Sequence, residues 1–155
     1  MEGLLTDKDA RVRVAGAECT GKILESMWDS LATKDVRSLL NLLVTQQACD
    51  ASSPLVRAGA IGALTVVLEN SGSHGVLKAL LPLLGNLIHD DSERVRVAMV
   101  KMLTKVKTMR GLKFFHIVKV PHLHARLAAE PMDSVVAKEV RRGGEGRSQE
   151  CEAFC

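Results

Sequence analysis

Apolar residues recur at helical spacing in three stretches of the chain, and each stretch contains a Val followed by an Arg. The pairs are Val12–Arg13, Val56–Arg57 and Val95–Arg96, and a weaker copy stands at Val135–Val136. The first valines of the four pairs are 44, 39 and 40 positions apart. Because a period of about 40–47 residues is typical of stacked two-helix units, the pattern predicts an array of helical repeats.

One face of each Val-Arg helix is predicted to be buried. At offsets 0, +3, +4, +7 and +11 from the Val, all fifteen residues of the first three copies are apolar or small. These offsets share one side of an α-helix. Cys19 lies on this face, so we expect its thiol to be buried. Asp9, Ser53 and Ser92 are predicted N-caps, and Pro54 suits the first helical position.

Each Val-Arg helix is also expected to follow a partner helix. The predicted partners are Asp35–Gln46, His74–Asp90 and Pro121–Ala128, with only a remnant, Gly3–Asp7, before the first copy. We therefore expect an all-α chain in which residues 1–142 form an α-solenoid of antiparallel helix pairs. The first and last repeats are incomplete. Apolar periodicity stops at Gly143, which predicts a disordered tail over 143–155.

Composition favours helices over strands and does not indicate a membrane protein. Aromatic residues make up 3% of the chain and Tyr is absent, whereas strands are enriched in aromatic and β-branched residues. No apolar run approaches the roughly 18 residues that span a bilayer. The net charge of +3 is too small to indicate nucleic-acid binding by itself.

The repeated arginines, Arg13, Arg57 and Arg96, occupy one position of the repeat. The first interpretation is a structural ladder in which each guanidinium pairs with an acid of its own turn or of a neighbouring turn. The candidate acids are Asp7, Asp50 and Asp90. The alternative is direct contact with a ligand.

Positive charge is concentrated between Glu93 and Lys119. This segment holds eight Lys or Arg residues and one acid, so its charge is eight minus one, or +7. Two interpretations stay open: a solvated helix face, or a surface that binds DNA phosphates without reading sequence. The candidate DNA-backbone residues are Arg94, Lys101, Lys105, Lys107 and Arg110. Phe114 and Phe115 follow, and they either pin the next helix or line a groove for an extended peptide.

Catalytic and metal chemistry are not indicated. His122 and His124 are two positions apart, which on a helix directs them to different sides. No cluster of Cys or carboxylate residues completes a zinc site. Gly59 and Gly62 are interpreted as packing positions on a helix rather than as part of a phosphate-binding loop. We predict no catalytic residue, no metal and no cofactor, and expect the protein not to be an enzyme.

The run "LLPLLGNLIHDDSERVRVAMVKMLTKVKTMRGLKFFHIVKVPHLHARL" resembles the G-type HEAT-repeat subunit of condensin II, a non-SMC regulatory subunit. It extends from Leu80 to Leu127. The stretch "ACDASSPLVRAGAIGALTVVLENSGSHGVLKALLPLL" is similar to the adjoining part of that family. The resemblance covers roughly Leu4 to Arg142. Members of the family are much longer, so the resemblance implies a fragment or a short isoform.

The resemblance implies a non-catalytic scaffold at chromosomes in the nucleus, acting in mitotic chromosome condensation. Its implied partners are the kleisin subunit of condensin II, double-stranded DNA bound without sequence specificity and, indirectly, the SMC ATPase subunits. Two alternatives stay open. One is a general HEAT-repeat protein–protein adaptor, and the other is a truncated fragment without independent activity.

Overall fold

The computed structural model describes residues 2–131 and 134–144, with the backbone only for residue 2 and residues 141–144. This part of the chain is all-helical and contains no β-strand. None of its helices has the length and apolar character needed to cross a membrane. Its α-helices are α1 (Glu2–Leu5), α2 (Ala10–Ser26), α3 (Thr33–Asn41), α4 (Pro54–Val67), α5 (His74–Leu80), α6 (Glu93–Lys107), α7 (Phe114–Ile117), α8 (Val120–Ala129) and α9 (Val135–Gly144).

The predicted partner segments are helical, but two of them change helix type part of the way along. After α3, a π-helix covers Leu42–Gln47. After α5, a 3₁₀ helix covers Leu81–His89, with Pro82 in its first turn. Proline has no backbone N–H and clashes with the preceding turn, so it interrupts a continuous α-helix at this point.

The Val-Arg helices pack against one another in chain order: α2 on α4, α4 on α6, and α6 on α9. We call each of these helices, with the turn before it, a layer. The first two layers approach closely, since a Cβ at Gly21 would lie 2.9 Å from the backbone of Ala63. Gly59 has the predicted packing role, because a Cβ there would meet Val14 at 3.3 Å. The same prediction is wrong for Gly62, which is exposed.

One core cluster runs through these layers from Leu5 to Val136. In α4 and α6 most of the predicted face is buried, which confirms the buried offsets predicted for these two helices. Full burial of one apolar side chain is worth about 1.5–3 kcal/mol relative to exposure. The buried residues of the predicted face are Val56, Ala60, Ala63, Val67, Val95, Met99, Met102 and Val106.

The face of α2 that was predicted to be buried is displaced by about one residue from the face that is buried. Cys19 is exposed, contrary to the expected buried thiol. The reason is that α2 turns the side that carries Ala17 and Gly21 towards α4, and no described residue covers Cys19. The buried residues of α2 are Gly16, Ala17, Thr20, Gly21 and Leu24.

Two of the three predicted N-caps form. The Asp9 carboxylate accepts a hydrogen bond from a backbone N–H of α2 at 2.8 Å, and the Ser53 hydroxyl accepts one from α4 at 3.4 Å. Pro54 opens α4 as predicted. The Ser92 side chain caps nothing. Its backbone N–H instead donates to Asp90 Oδ1 at 2.8 Å, so the acid orders this turn.

The last described helix, α9, continues through Gly144 and so includes the first two residues of the predicted tail. Val136 is the fully buried member of the fourth pair, whereas Val135 is exposed. The predicted disorder of residues 145–155 lies outside the described residues, as do Cys151 and Cys155.

Candidate functional site

The three repeated arginines form ion pairs with acids of the next layer. Arg13 Nη2 lies 2.9 Å from Asp50 Oδ2, and Arg57 Nε lies 2.8 Å from Asp90 Oδ2. Arg96 pairs through Nε and Nη2 with the Glu130 carboxylate. The three arginine side chains are only 10–15% exposed. They therefore connect layers and are not available to a ligand.

Each guanidinium also donates to the backbone of the turn that precedes its own helix. The accepting carbonyls are those of Asp7 and Lys8 for Arg13, Asp50 for Arg57, and Asp90 and Asp91 for Arg96. One arginine thus joins two consecutive turns, which confirms the ladder interpretation.

The sequence interpretation identified two of the three ladder acids. Asp50 and Asp90 accept arginines through their side chains, whereas Asp7 contributes only its carbonyl oxygen. Glu130 was missed, although it stands five residues before Val135 as Asp90 stands five before Val95. That shared offset was the available signal.

Opposing effects act on the ladder carboxyls. Burial by itself would raise the pKa of Asp90, but hydrogen bonds from the Arg57 side chain and the Ser92 N–H outweigh it and hold that pKa below its ordinary value. Burial would likewise raise the pKa of Glu130, but hydrogen bonds from Arg96 and Arg126 outweigh it and lower that pKa. These acids are therefore charged at neutral pH.

The predicted DNA-backbone residues lie in two different environments. Arg94 and Lys101 are exposed on one stripe of α6, two turns or about 10 Å apart along the axis. Arg110 is exposed in the segment that follows α6. Within the described residues no hydrogen bond or ion pair engages these three side chains. They are available to an anion from solution.

Lys105 and Lys107 lie near the carboxyl end of α6, where a positive charge interacts favourably with the helix dipole. Lys105 also forms an ion pair with Glu69, which follows α4. Lys107 is half-buried and has contacts of its own. Since Arg96 belongs to the ladder, the accessible positive charge is smaller than the +7 counted along the sequence.

The basic stripe is confined to one layer. The positions on α4 that correspond to Arg94, Lys101 and Lys105 carry no charge, and those on α2 have mixed charge. The corresponding residues are Leu55, Gly62 and Val66 on α4, and Arg11, Glu18 and Lys22 on α2. Among these three helices, only α6 presents an outward stripe on which all three positions are basic.

The two adjacent Phe residues of α7 have different surroundings. Phe114 is half-buried and packs against the core, whereas Phe115 is 44% exposed. Their rings meet edge to face at 5.5 Å. α7 is held close to the 3₁₀ helix, since a Cβ at Gly85 would clash with the carbonyl oxygen of Ile117. The helix thus presents Phe115 from a fixed position.

The H-x-H pair does not act as a unit. His122 Nδ1 lies 3.2 Å from His89 Nε2, a partner that sequence reasoning missed. The part of the chain that the structure describes holds no group of three or more side chains able to bind a metal ion.

Comparison with known proteins finds relatives that share one name, Condensin-2 complex subunit G2. The Danio rerio protein is 38% identical over 138 residues, which is 88% of this chain and 12% of that protein. The Homo sapiens protein is 37% identical over 127 residues, 82% of this chain and 11% of that protein. The chain thus spans about an eighth of the relatives it matches. No family model matches the chain, and no solved structure matches it significantly.

Proposed function

Since the chain is homologous to a segment of Condensin-2 complex subunit G2, we propose that it forms a non-catalytic scaffold segment of condensin II. The similarity confirms the resemblance read from the sequence, and it is the observation that carries the proposal. In this role the chain acts at chromosomes in the nucleus during condensation. It contacts the kleisin subunit directly and the SMC ATPase subunits indirectly.

The scaffold is a run of HEAT repeats. Two observations support this: α2, α4, α6 and α9 pack in chain order, and an arginine at one repeat position connects each of the first three layers to the next. Each layer buries apolar residues against its neighbours in the stack, as in other solenoids. The outward faces are thereby left for partners.

DNA is expected to contact the exposed cations of α6 and of the segment that follows it. Arg94, Lys101 and Arg110 extend into solvent without a partner among the described residues. Cations so placed bind phosphates, release counterions and read no bases. Lys105 and Lys107 border this surface. Lys105 can bind a DNA phosphate once that phosphate displaces Glu69 from the ion pair.

The kleisin contact is placed at α7. Phe114 anchors the helix in the core, and this leaves the Phe115 ring exposed for an apolar side chain of an extended peptide. We expect Phe115→Ala to weaken binding of the condensin II kleisin. Leu83→Ala, at an exposed leucine of the neighbouring 3₁₀ helix, is the matched control. Isothermal titration calorimetry with purified kleisin measures the affinity of both variants. An equal loss of affinity in the two variants would show that Phe115 has no specific part in kleisin binding.

Charge reversal tests the DNA surface. A labelled duplex is titrated with the parent chain, with Arg94→Glu/Lys101→Glu, and with the control Lys22→Glu/Lys34→Glu, which makes the same change at exposed lysines outside the third layer. We expect the first variant to bind at least roughly tenfold more weakly and with a shallower salt dependence, by about 0.9 per lost phosphate contact. Equal binding by the parent and both variants would show that Arg94 and Lys101 do not contact DNA.

A further inference from the structure

The turn before α2 has the same local geometry as the turns before α4 and α6. In each turn one Oδ1 atom of an aspartate accepts a hydrogen bond, 2.8 Å long, from the backbone N–H two residues later. The pairs are Asp7 with Asp9, Asp50 with Ser52, and Asp90 with Ser92. The three aspartates therefore occupy equivalent places in their layers.

Asp7 differs from the other two aspartates in the ion-pair partner of its carboxylate. Asp50 and Asp90 each bind an arginine of the preceding layer. The Asp7 side chain is exposed, and no ion pair within the described residues involves it. Its backbone carbonyl accepts from Arg13, just as the carbonyl of Asp50 accepts from Arg57. Asp7 is thus a ladder position whose arginine is not supplied by the described part of the chain.

The helix face beside Asp7 is also uncovered. In α4, Gly59 and Ala63 lie against α2. Their equivalents in α2 are Ala15 and Cys19, and both are exposed. Together with their neighbours they line a shallow groove of about 370 Å³, whose lining residues are Leu4, Asp9, Arg11, Val12, Ala15, Gly16 and Cys19.

We propose that this surface, formed by Asp7 and the groove residues of α2, binds a helical layer of the same type that inserts an arginine onto Asp7. The layer belongs to another polypeptide segment and not to a second copy of this chain. The fourth Val-Arg pair has the buried Val136 where the third has Arg96. α9 therefore has no guanidinium at the ladder position. This inference rests on the turns and the groove and is independent of the DNA and kleisin proposals.

A tandem chain tests the proposal. A copy of residues 33–73, which carries its own Arg57, is added before residue 1 of the full chain. All cysteines except Cys19 are replaced by Ser, and the rate at which a thiol reagent labels Cys19 is compared with that in the equally substituted parent. We expect labelling to slow by at least roughly tenfold, since a docked layer must open before the reagent enters.

A double-mutant cycle in the tandem chain tests the arginine contact. Asp7→Asn and Arg57→Gln in the added copy should each lower the melting temperature, and their combination should lower it little more than either alone. Asp7→Asn in the parent chain is the control and should leave its melting temperature unchanged. Additive effects in the tandem chain would overturn the assignment of Asp7 as the acceptor.

Two further outcomes would also overturn the proposal. The first is an equal rate of Cys19 labelling in the tandem chain and the parent. This result counts against the proposal both when the added layer packs elsewhere and when it does not fold. The second is protection of Cys19 in the parent that rises with protein concentration and accompanies a dimer in sedimentation. That result would identify a second copy as the occupant.

Discussion

Arg57 and Asp90 lie 33 positions apart in the chain and form a two-pronged ion pair, with Nε 2.8 Å from Oδ2 and Nη2 2.9 Å from Oδ1. The two side chains are 15% and 8% exposed. The remaining nitrogen, Nη1, donates to the carbonyl of Asp50 at 2.7 Å. Each of the three guanidinium nitrogens therefore donates a hydrogen bond. The group lies between two layers, where water screens its charge poorly.

Removal of one partner from this pair should destabilise the fold strongly. Asp90→Ala leaves the largely covered Arg57 charge without the carboxylate that binds it at two nitrogens, and we expect it to lower the free energy of unfolding by about 3 kcal/mol. Arg57→Met/Asp90→Leu, which removes both charges, should recover much of that loss. Urea unfolding followed by circular dichroism measures both. Arg11→Ala, at an exposed ion pair, is the control and should change stability little.

The ladder carboxyls should make stability depend on pH in the acid range. The pKa values of Asp50, Asp90 and Glu130 lie below the ordinary values of 3.8 for Asp and 4.5 for Glu. A carboxyl whose pKa is lower in the folded state contributes stability that is complete above its unfolded pKa and is lost as the pH falls through the folded pKa.

We therefore expect the free energy of unfolding to hold steady from neutral pH down to about these ordinary values, and to fall below them. Urea midpoints measured across this range check the expectation. Asp90→Asn should flatten the acid limb, because one of the titrating groups is gone. An acid limb identical in parent and variant would show that other groups set the pH dependence.

The ion pair between Lys105 and Glu69 should moderate DNA binding, given the proposed basic surface. Glu69→Gln removes the negative charge that neutralises Lys105, so we expect tighter binding to duplex DNA and a steeper salt dependence. Stability should change little, since the two side chains are 35% and 51% exposed. In a Lys105→Gln background the same change should have a smaller effect. Fluorescence anisotropy measures the affinities.

Two glycine substitutions should have opposite effects on stability. Gly21→Ala puts a methyl group 2.9 Å from the Ala63 backbone, so α2 and α4 must separate, at a cost of about 1–3 kcal/mol. Gly62→Ala meets no atom within 4 Å. It should stabilise α4 by up to about 1 kcal/mol, because alanine has the higher helix propensity. Melting temperatures of the two variants distinguish these outcomes.

The buried faces of α4 and α6 could be predicted from the sequence because each of these helices packs between two others, α4 between α2 and α6, and α6 between α4 and α9. The face of α2 could not. Small residues stand on both of its sides, with Ala15 and Cys19 on one and Ala17 and Gly21 on the other. Hydrophobic periodicity cannot choose between two such sides, and here contact with α4 decides. The prediction that Cys19 is buried failed for this reason.

The charge pattern predicted the location of the basic segment but not which of its cations are accessible. Arg96 and Lys105 stand among other basic residues in sequence, yet their partners, Glu130 and Glu69, come from other layers or the segments between them. A count along the chain includes both cations and neither acid. Only the packing of the layers separates Arg94 and Lys101 from the paired residues.

The ladder also has a consequence for how the molecule melts. The Asp90 carboxylate holds Arg57 of the layer before it and, through the Ser92 N–H, shapes the start of its own helix. When one layer opens, its neighbour loses a counter-charge and an interlayer contact in the same step. In an array coupled through nearest neighbours, such a joint loss favours a single sharp transition over gradual fraying from one end.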